Sequence, residues 1–155
     1  MVYWGLFDTM TKGGVSMTPV TYSRPVHYYE TDRMDCVHHS NYIRWFEEAR
    51  TYLMQVMDFP YEGMEAEGIL SPVLGVQAQY KTMARYGDTV DVETRLVEFT
   101  GTRGAFSYTV KDHATGAVRC EGRTEHCFLK EGRPVSLKKA LPEYFEKMTA
   151  AVKED

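Results

Sequence analysis

Between Asn41 and Met57 the apolar residues recur every three or four positions. Tyr42, Trp45, Phe46, Ala49, Leu53 and Val56 fall on one face, and Arg44, Glu47, Glu48, Thr51 and Gln55 largely on the other. That spacing predicts one long amphipathic helix, with Ser40 or Asn41 to cap its start and Pro60 to stop its continuation. Beyond the helix the period drops to two. Leu74, Val76, Ala78 and Tyr80 share one side of a strand. Val90, Val92, Thr94 and Leu96 alternate with Asp91, Glu93 and Arg95; Phe106, Tyr108 and Val110 alternate with Ser107, Thr109 and Lys111. Cys120, Thr124, His126 and Phe128 are interleaved with Arg119, Glu121, Arg123 and Glu125. Such alternation predicts antiparallel strands with one covered and one wet face. Turn signals separate them at Tyr86-Gly87-Asp88, Gly101-Thr102-Arg103-Gly104 and Ala114-Thr115-Gly116.

Two further elements flank this set. Thr21 to Tyr29 reads as a strand, with Pro25 marking an edge or a bulge. Pro142 to Lys153 reads as a closing helix with Pro142 in its first turn. Residues 1–19 show no period and contain Gly13-Gly14, so they are expected to form a poorly ordered tail, within which Met17 is a second candidate start. Residues 20–155 form the folded domain. The order strand, long helix, four strands, short helix requires a sheet that covers the apolar face of one helix, an α+β architecture.

Composition narrows the class. A chain of 155 residues suits one domain, and 43% hydrophobic residues suit a packed core. A net charge of -4 gives no bulk electrostatic case for nucleic acid. No apolar run approaches the ~20 residues of a membrane span, and Met1 to Leu6, soon interrupted by Asp8, is too short for a signal peptide. Cys36, Cys120 and Cys127 are odd in number and lack CxxC spacing. They read as reduced thiols, which points to the cytoplasm.

The chemistry concentrates between Tyr29 and Tyr42, where YETDRMDCVHHSNY has no clean period and reads as a loop running into the helix. Asp32 stands a few residues before the helix start, where the first N–H groups are unpaired and carry partial positive charge. A loop carboxylate capping the helix is the bland reading of Asp32, and a solvated turn residue that of Asp35. Asp32, Asp35, Cys36, His38 and His39 are all metal-ligand types. Neighbouring side chains on an extended loop point apart, however, and their spacing matches no standard ligand pattern. No metal and no other cofactor is expected. His126 reads as a core histidine, and Trp45 and Phe46 as core aromatics. Met34, Met54, Met57 and Met83 would suit an adaptable apolar lining or simple core filling.

The element order and this loop resemble the hotdog fold, in which an antiparallel sheet wraps one long central helix. In particular they resemble the 4-hydroxybenzoyl-CoA thioesterase-like family. The likeness covers roughly Tyr22 to Phe128. It rests on Asp32-Arg33-Met34-Asp35-Cys36-Val37-His38-His39-Ser40-Asn41-Tyr42, on Arg44-Trp45-Phe46-Glu47-Glu48-Ala49-Arg50, and on Tyr80-Lys81-Thr82-Met83-Ala84-Arg85-Tyr86-Gly87-Asp88. Two departures stand out: Asp35 where the family often has Gly, and Met83 where it often has Pro.

The resemblance implies an acyl-CoA thioesterase with Asp32 as nucleophile or general base. It also implies that the amide of His39 polarises the thioester carbonyl; the His39 side chain itself reads either as shaping the acyl pocket or orienting Asp32, or equally as a packed, neutral histidine. Asn41, Tyr42, Lys81, Arg85 and Arg103 are the implied substrate-binding residues, the three cations for the phosphates of CoA. The implied assembly is a homodimer or homotetramer with sites shared between subunits, which agrees with the need to cover sheet edges. Acyl-CoA is the expected partner, with neither nucleic acid nor membrane. An acyl carrier protein thioesterase, a hydratase and a non-catalytic acyl-binding protein are rival readings; the Asp32-to-Tyr42 spacing favours a thioesterase over a hydratase.

Overall fold

A computed structural model describes residues 19–152. The tail expected over 1–19 lies outside the described residues apart from Pro19. Strand β1 (Val20–Pro25) leads through a single 3-10 turn (Tyr28–Glu30) and a loop into helix α1 (Ser40–Val56). A short helix α2 (Tyr61–Ala66) and a two-residue strand β2 (Ile69–Leu70) follow. Then come β3 (Val73–Tyr80), β4 (Thr89–Phe99), β5 (Arg103–Asp112) and β6 (Val118–Cys127). The chain closes with β7 (Leu129–Lys130), β8 (Arg133–Pro134), α3 (Leu137–Ala140) and α4 (Pro142–Val152).

The long strands form a five-stranded antiparallel sheet in the order β1-β4-β5-β6-β3. Its concave face covers α1. Val90, Val92, Leu96, Val110 and Cys120 from the sheet, and Trp45, Phe46 and Leu53 from the helix, are wholly buried. Helix and sheet approach closely at Gly122, where a Cβ would run into the Phe46 ring. Phe46 in turn stacks on Tyr108, with centroids 4.4 Å apart and planes at 13°. The opposite face of the sheet is wet and carries ion pairs such as Lys111–Glu93 at 2.9 Å.

The expected edge position of Pro25 is correct, since β1 borders the sheet and pairs only with β4. The strand ends at Pro25 and does not run to Tyr29. Glu30 turns its side chain back to accept from the His27 amide at 2.8 Å, which winds 28–30 into the 3-10 turn and exposes Tyr28 and Tyr29.

The long helix begins one residue earlier than its apolar pattern, and neither Ser40 nor Asn41 caps it. His39 occupies the N-cap position without a side-chain bond, and Ser40 is already helical. His38 Nδ1 instead reaches the Ser40 amide at 3.3 Å and its hydroxyl at 2.8 Å. Val56 is 56% exposed in the last turn, whereas Met54 and Arg50 are buried. The chain after the helix folds back along it, and the buried Phe59 and Met64 widen its covered face.

Candidate active site

The loop before α1 is a closed tongue. Thr31 and Val37 form an isolated antiparallel bridge. Inside it the Asp32 amide donates to the Cys36 carbonyl at 2.9 Å, and the Asp35 amide to the Asp32 carbonyl at 3.1 Å. The turn needs a left-handed residue at its tip, and Asp35 supplies it with φ 59°. That explains why Asp35 can stand where glycine is usual, because Asp is among the few residues that visit this region routinely. The Asp32 side chain points back over the turn, with Oδ1 accepting from the Met34 amide at 2.8 Å and lying 3.8 Å from Cys36 Sγ. Burial, and then the Asp32 charge, push the Cys36 thiol above its ordinary pKa, so it is a neutral neighbour.

The tongue is docked at both ends. The amides of Val37 and His38 donate to the carbonyls of Ala84 and Glu30, each at 2.8 Å. Asn41 spends its side chain on the same Glu30 carbonyl, at 2.9 Å. Within this frame a cavity of about 290 Å³ opens at the N-terminal end of α1, lined by Asp32, Met34, Cys36, Val37, His39, Tyr42, Tyr80, Lys81, Thr82 and Met83. The His39 amide has no acceptor among the described residues. Its carbonyl accepts from the Tyr80 hydroxyl at 3.0 Å, and its exposed ring packs on His38 with centroids 4.2 Å apart. Tyr42 forms the floor. It is buried against Trp45 and Tyr80, accepts from the Ala84 amide at 3.3 Å, and burial pushes its phenol up to about 12.

Of the residues expected at the site, Asp32, His39, Tyr42 and Lys81 therefore converge on one cavity. Asn41 anchors the tongue and does not line the cavity. Arg85 stands beside it, donating to the Asp35 carbonyl at 2.7 Å. Arg103 is elsewhere. It pairs in register with Cys127 at one end of β6, whereas Tyr80 pairs with Cys120 at the other. At ~3.3 Å per residue that is roughly 20 Å along the sheet. Of the four methionines considered as lining, Met34 and Met83 line the cavity, while Met54 and Met57 pack into or against the core. A larger recess of about 620 Å³, along the outer face of α1, is open and holds none of the candidate residues. Among the described residues no group of three or more His, Cys, Asp and Glu side chains could hold a metal ion.

Sequence reading missed Glu30 and Arg24, whose buried pair at 2.8 Å underlies the tongue. The signal was an acidic residue two positions before Asp32, at the start of the segment read as loop, with Arg24 in the segment read as strand before it.

The sequence profile of the Thioesterase-like superfamily matches residues 26–147, a span that takes in the tongue, α1 and the whole cavity. The chain belongs to that family. A Bacillus subtilis relative, "Putative acyl-CoA thioesterase YneP", is 36% identical over 121 residues, covering 77% of this chain and 87% of its own. The Escherichia coli "Acyl-CoA thioester hydrolase YbgC" is 27% identical over 85 residues, covering 55% of this chain and 63% of its own. The DHNA-CoA thioesterase of Staphylococcus aureus superposes with a TM-score of 0.80 at 30% identity, over 83% of this chain and 87% of its own. The hotdog architecture and the thioester hydrolase class expected from the Asp32 block are thus borne out. Among the described residues no helix is long and apolar enough to cross a membrane.

Proposed function

We propose that this chain hydrolyses acyl-CoA thioesters to the free acid and CoA. Asp32 attacks the carbonyl or activates a water for attack, and the His39 amide stabilises the developing oxyanion. The observation that carries this reading is the pairing, in one cavity, of the Asp32 carboxylate with an unpaired amide at the N-terminal end of a 17-residue helix. A positioned backbone donor of that kind is worth about 3 kcal/mol, or roughly a hundredfold in rate. Lys81 and Arg85, at the rim, suit the phosphates of CoA, and the apolar Met34, Met83, Val37 and Tyr42 suit the acyl end. Three free cysteines suit the reducing cytoplasm.

The reading includes a homodimer. Strand β3 is the other border of the sheet, and Val73, Leu74, Val76 and Tyr80 on it are 39–49% exposed. An apolar open edge is a template for another strand. Antiparallel pairing of two β3 edges covers it and sets the Leu74 end of one copy beside the Tyr80 end of the other. The partner subunit's Arg103 then comes to the Asp32 side, which accounts for a cation that is remote within one subunit. Pairing of two such dimers gives the tetramer.

The test is free-thiol release from a panel of acyl-CoAs by wild type and Asp32→Asn. A folded, still oligomeric Asp32→Asn that loses at least a hundredfold in rate supports the reading. Undiminished hydrolysis removes Asp32 from the mechanism.

A further inference from the structure

A chain of hydrogen bonds crosses the core from the middle of α1 to the far end of β6. Arg50 donates through Nε to the Tyr61 hydroxyl at 2.7 Å and through a terminal nitrogen to the Tyr108 hydroxyl at 3.0 Å. The Tyr108 hydroxyl lies 2.6 Å from Thr124 Oγ1, which lies 2.8 Å from His126 Nε2. The donors fix the direction of this chain. A guanidinium only donates, so Tyr108 accepts from Arg50 and passes its own proton to Thr124, its one acceptor among the described residues. Thr124 therefore donates to His126 Nε2. A neutral imidazole that accepts at Nε2 carries its proton on Nδ1. Burial, followed by the charge of Arg50, pushes the imidazole down to about 4, so the ring is neutral at pH 7.

The core position expected for His126 is correct, yet the residue is only half satisfied. It is 2% exposed, and Nδ1 has no partner among the described residues. Buried donors are rarely left so in native structures. Thr124 donating to Nε2 also polarises the ring and strengthens Nδ1–H as a donor. His126 lines a second cavity of about 200 Å³ together with Leu74, Glu98, Arg103, Gly104 and Glu125, and the Phe106 ring meets the imidazole edge-on with centroids 5.4 Å apart.

Within one subunit this cavity cannot serve the Asp32 site, because Leu74 and Tyr80 lie at opposite ends of β3, roughly 20 Å apart at ~3.3 Å per residue. Between two subunits the relationship changes. Cys120, Gly122, Thr124 and His126 alternate onto the helix-facing side of β6, and Tyr80, paired with Cys120, lies on that same side. Antiparallel pairing of two β3 edges makes one continued sheet, with the Tyr80 end of one copy next to the His126 end of the other on one face.

We propose that His126 is a specificity-determining residue supplied in trans: its Nδ1–H donates to an oxygen on the acyl group of the thioester held at the other subunit's Asp32. The proposal rests on the thioesterase and β3-edge dimer reading given above. The donor sits on the helix-facing side beside Phe106, and the Glu98 and Glu125 carboxylates on the same cavity disfavour a phosphate there, so the place suits an acyl substituent.

The experiment compares kcat/KM for matched pairs, butyryl-CoA with 3-hydroxybutyryl-CoA and benzoyl-CoA with its ring-hydroxylated forms. Wild type is expected to prefer at least one oxygenated member about tenfold, as one hydrogen bond allows. His126→Phe, which fills the space without a donor, abolishes that preference. His126→Asn, whose amide nitrogen lies near the place of Nδ1, retains part of it. A doubly tagged heterodimer of one Asp32→Asn and one His126→Phe subunit decides the geometry. Its single competent Asp32 faces an intact His126 only if the donor acts in trans, so it recovers the wild-type preference at about half the wild-type rate. A heterodimer that behaves like His126→Phe, a wild type without preference, or a preference untouched by His126→Phe overturns the proposal. Hydrolysis that survives Asp32→Asn, or a monomeric wild type, instead brings down the reading beneath it.

Discussion

The indole N–H of Trp45 donates to the Glu30 carboxylate at 2.7 Å, joining the buried face of α1 to the start of the tongue that carries Asp32. The same carboxylate accepts from one Arg24 nitrogen at 2.8 and 2.9 Å and from the His27 amide at 2.8 Å. Arg24 also lies over the Trp45 ring, 4.9 Å from its centroid. Every partner of this carboxylate is a donor, so its two oxygens must both accept. Meanwhile the Glu30 carbonyl takes the His38 amide and the Asn41 side chain. One residue thus fixes where the tongue leaves β1 and where it re-enters α1.

Glu30→Gln tests that role. The amide is isosteric, but its NH2 must face a donor, and Arg24 keeps only the half-exposed Glu48, at 3.0 Å, as a carboxylate partner. Breaking a buried pair on one side costs about 3–5 kcal/mol. The tongue then shifts on the scale at which ~1 Å costs roughly a hundredfold in rate. The expected result is a lowered denaturation midpoint together with a fall in kcat larger than the change in KM. A variant that loses stability but keeps kcat would make Glu30 a purely structural residue.

Asp35 gives a cleaner separation of backbone from side chain. Its ion pair with Arg85 spans 3.7 Å, with the Asp35 side chain 89% exposed, so the charge is worth little. The left-handed φ is the real demand on this position. Asp35→Gly is therefore expected within about 0.5 kcal/mol of wild type, since glycine adopts that conformation freely. Asp35→Val is expected to lose about 1–2 kcal/mol and to slow hydrolysis as the turn opens. Thermal unfolding of the three proteins side by side is the check, and equal losses in both variants would mean that the Arg85 contact dominates.

The contrast between these two residues explains what the sequence made legible. Periodicity found α1, β4, β5 and β6 because each buries one face, and Val90, Val92 and Leu96 all lie where alternation put them. It located β3 but not a covered face on it, because Leu74, Val76 and Tyr80 stand on a border strand and are 39–49% exposed. It missed β2, β7 and β8, which span two residues each and have no period to read. Asp32, His39, Tyr42 and Lys81 could be grouped only through a family likeness, because Lys81 reaches the cavity from the end of another strand. Glu30 and Arg50 were hidden for a different reason. A buried charge looks like a surface charge until its partners, here Arg24 and Trp45 or Tyr61 and Tyr108, are brought in by the fold.

His126 should also leave a signature in stability against pH. Its folded-state pKa is about 4, depressed by burial first and by Arg50 second, against 6.5 for the free side chain. Between those values the unfolded chain binds more protons than the folded one, so stability falls as the solution is acidified from about pH 6.5 towards 4. Above 6.5 the group contributes no slope, and below 4 its contribution is fully lost. At 1.36 kcal/mol per unit, the loss from this residue is at most about 3 kcal/mol. Carboxylates titrate in the lower part of the same window, so the informative quantity is the difference between wild type and His126→Phe. Denaturant midpoints at pH 7, 5.5 and 4.5 should converge as the pH drops, with the variant losing less than wild type over the upper half of the window. Parallel lines across all three pH values would mean that His126 titrates alike in the folded and the unfolded chain, as a ring open to water would.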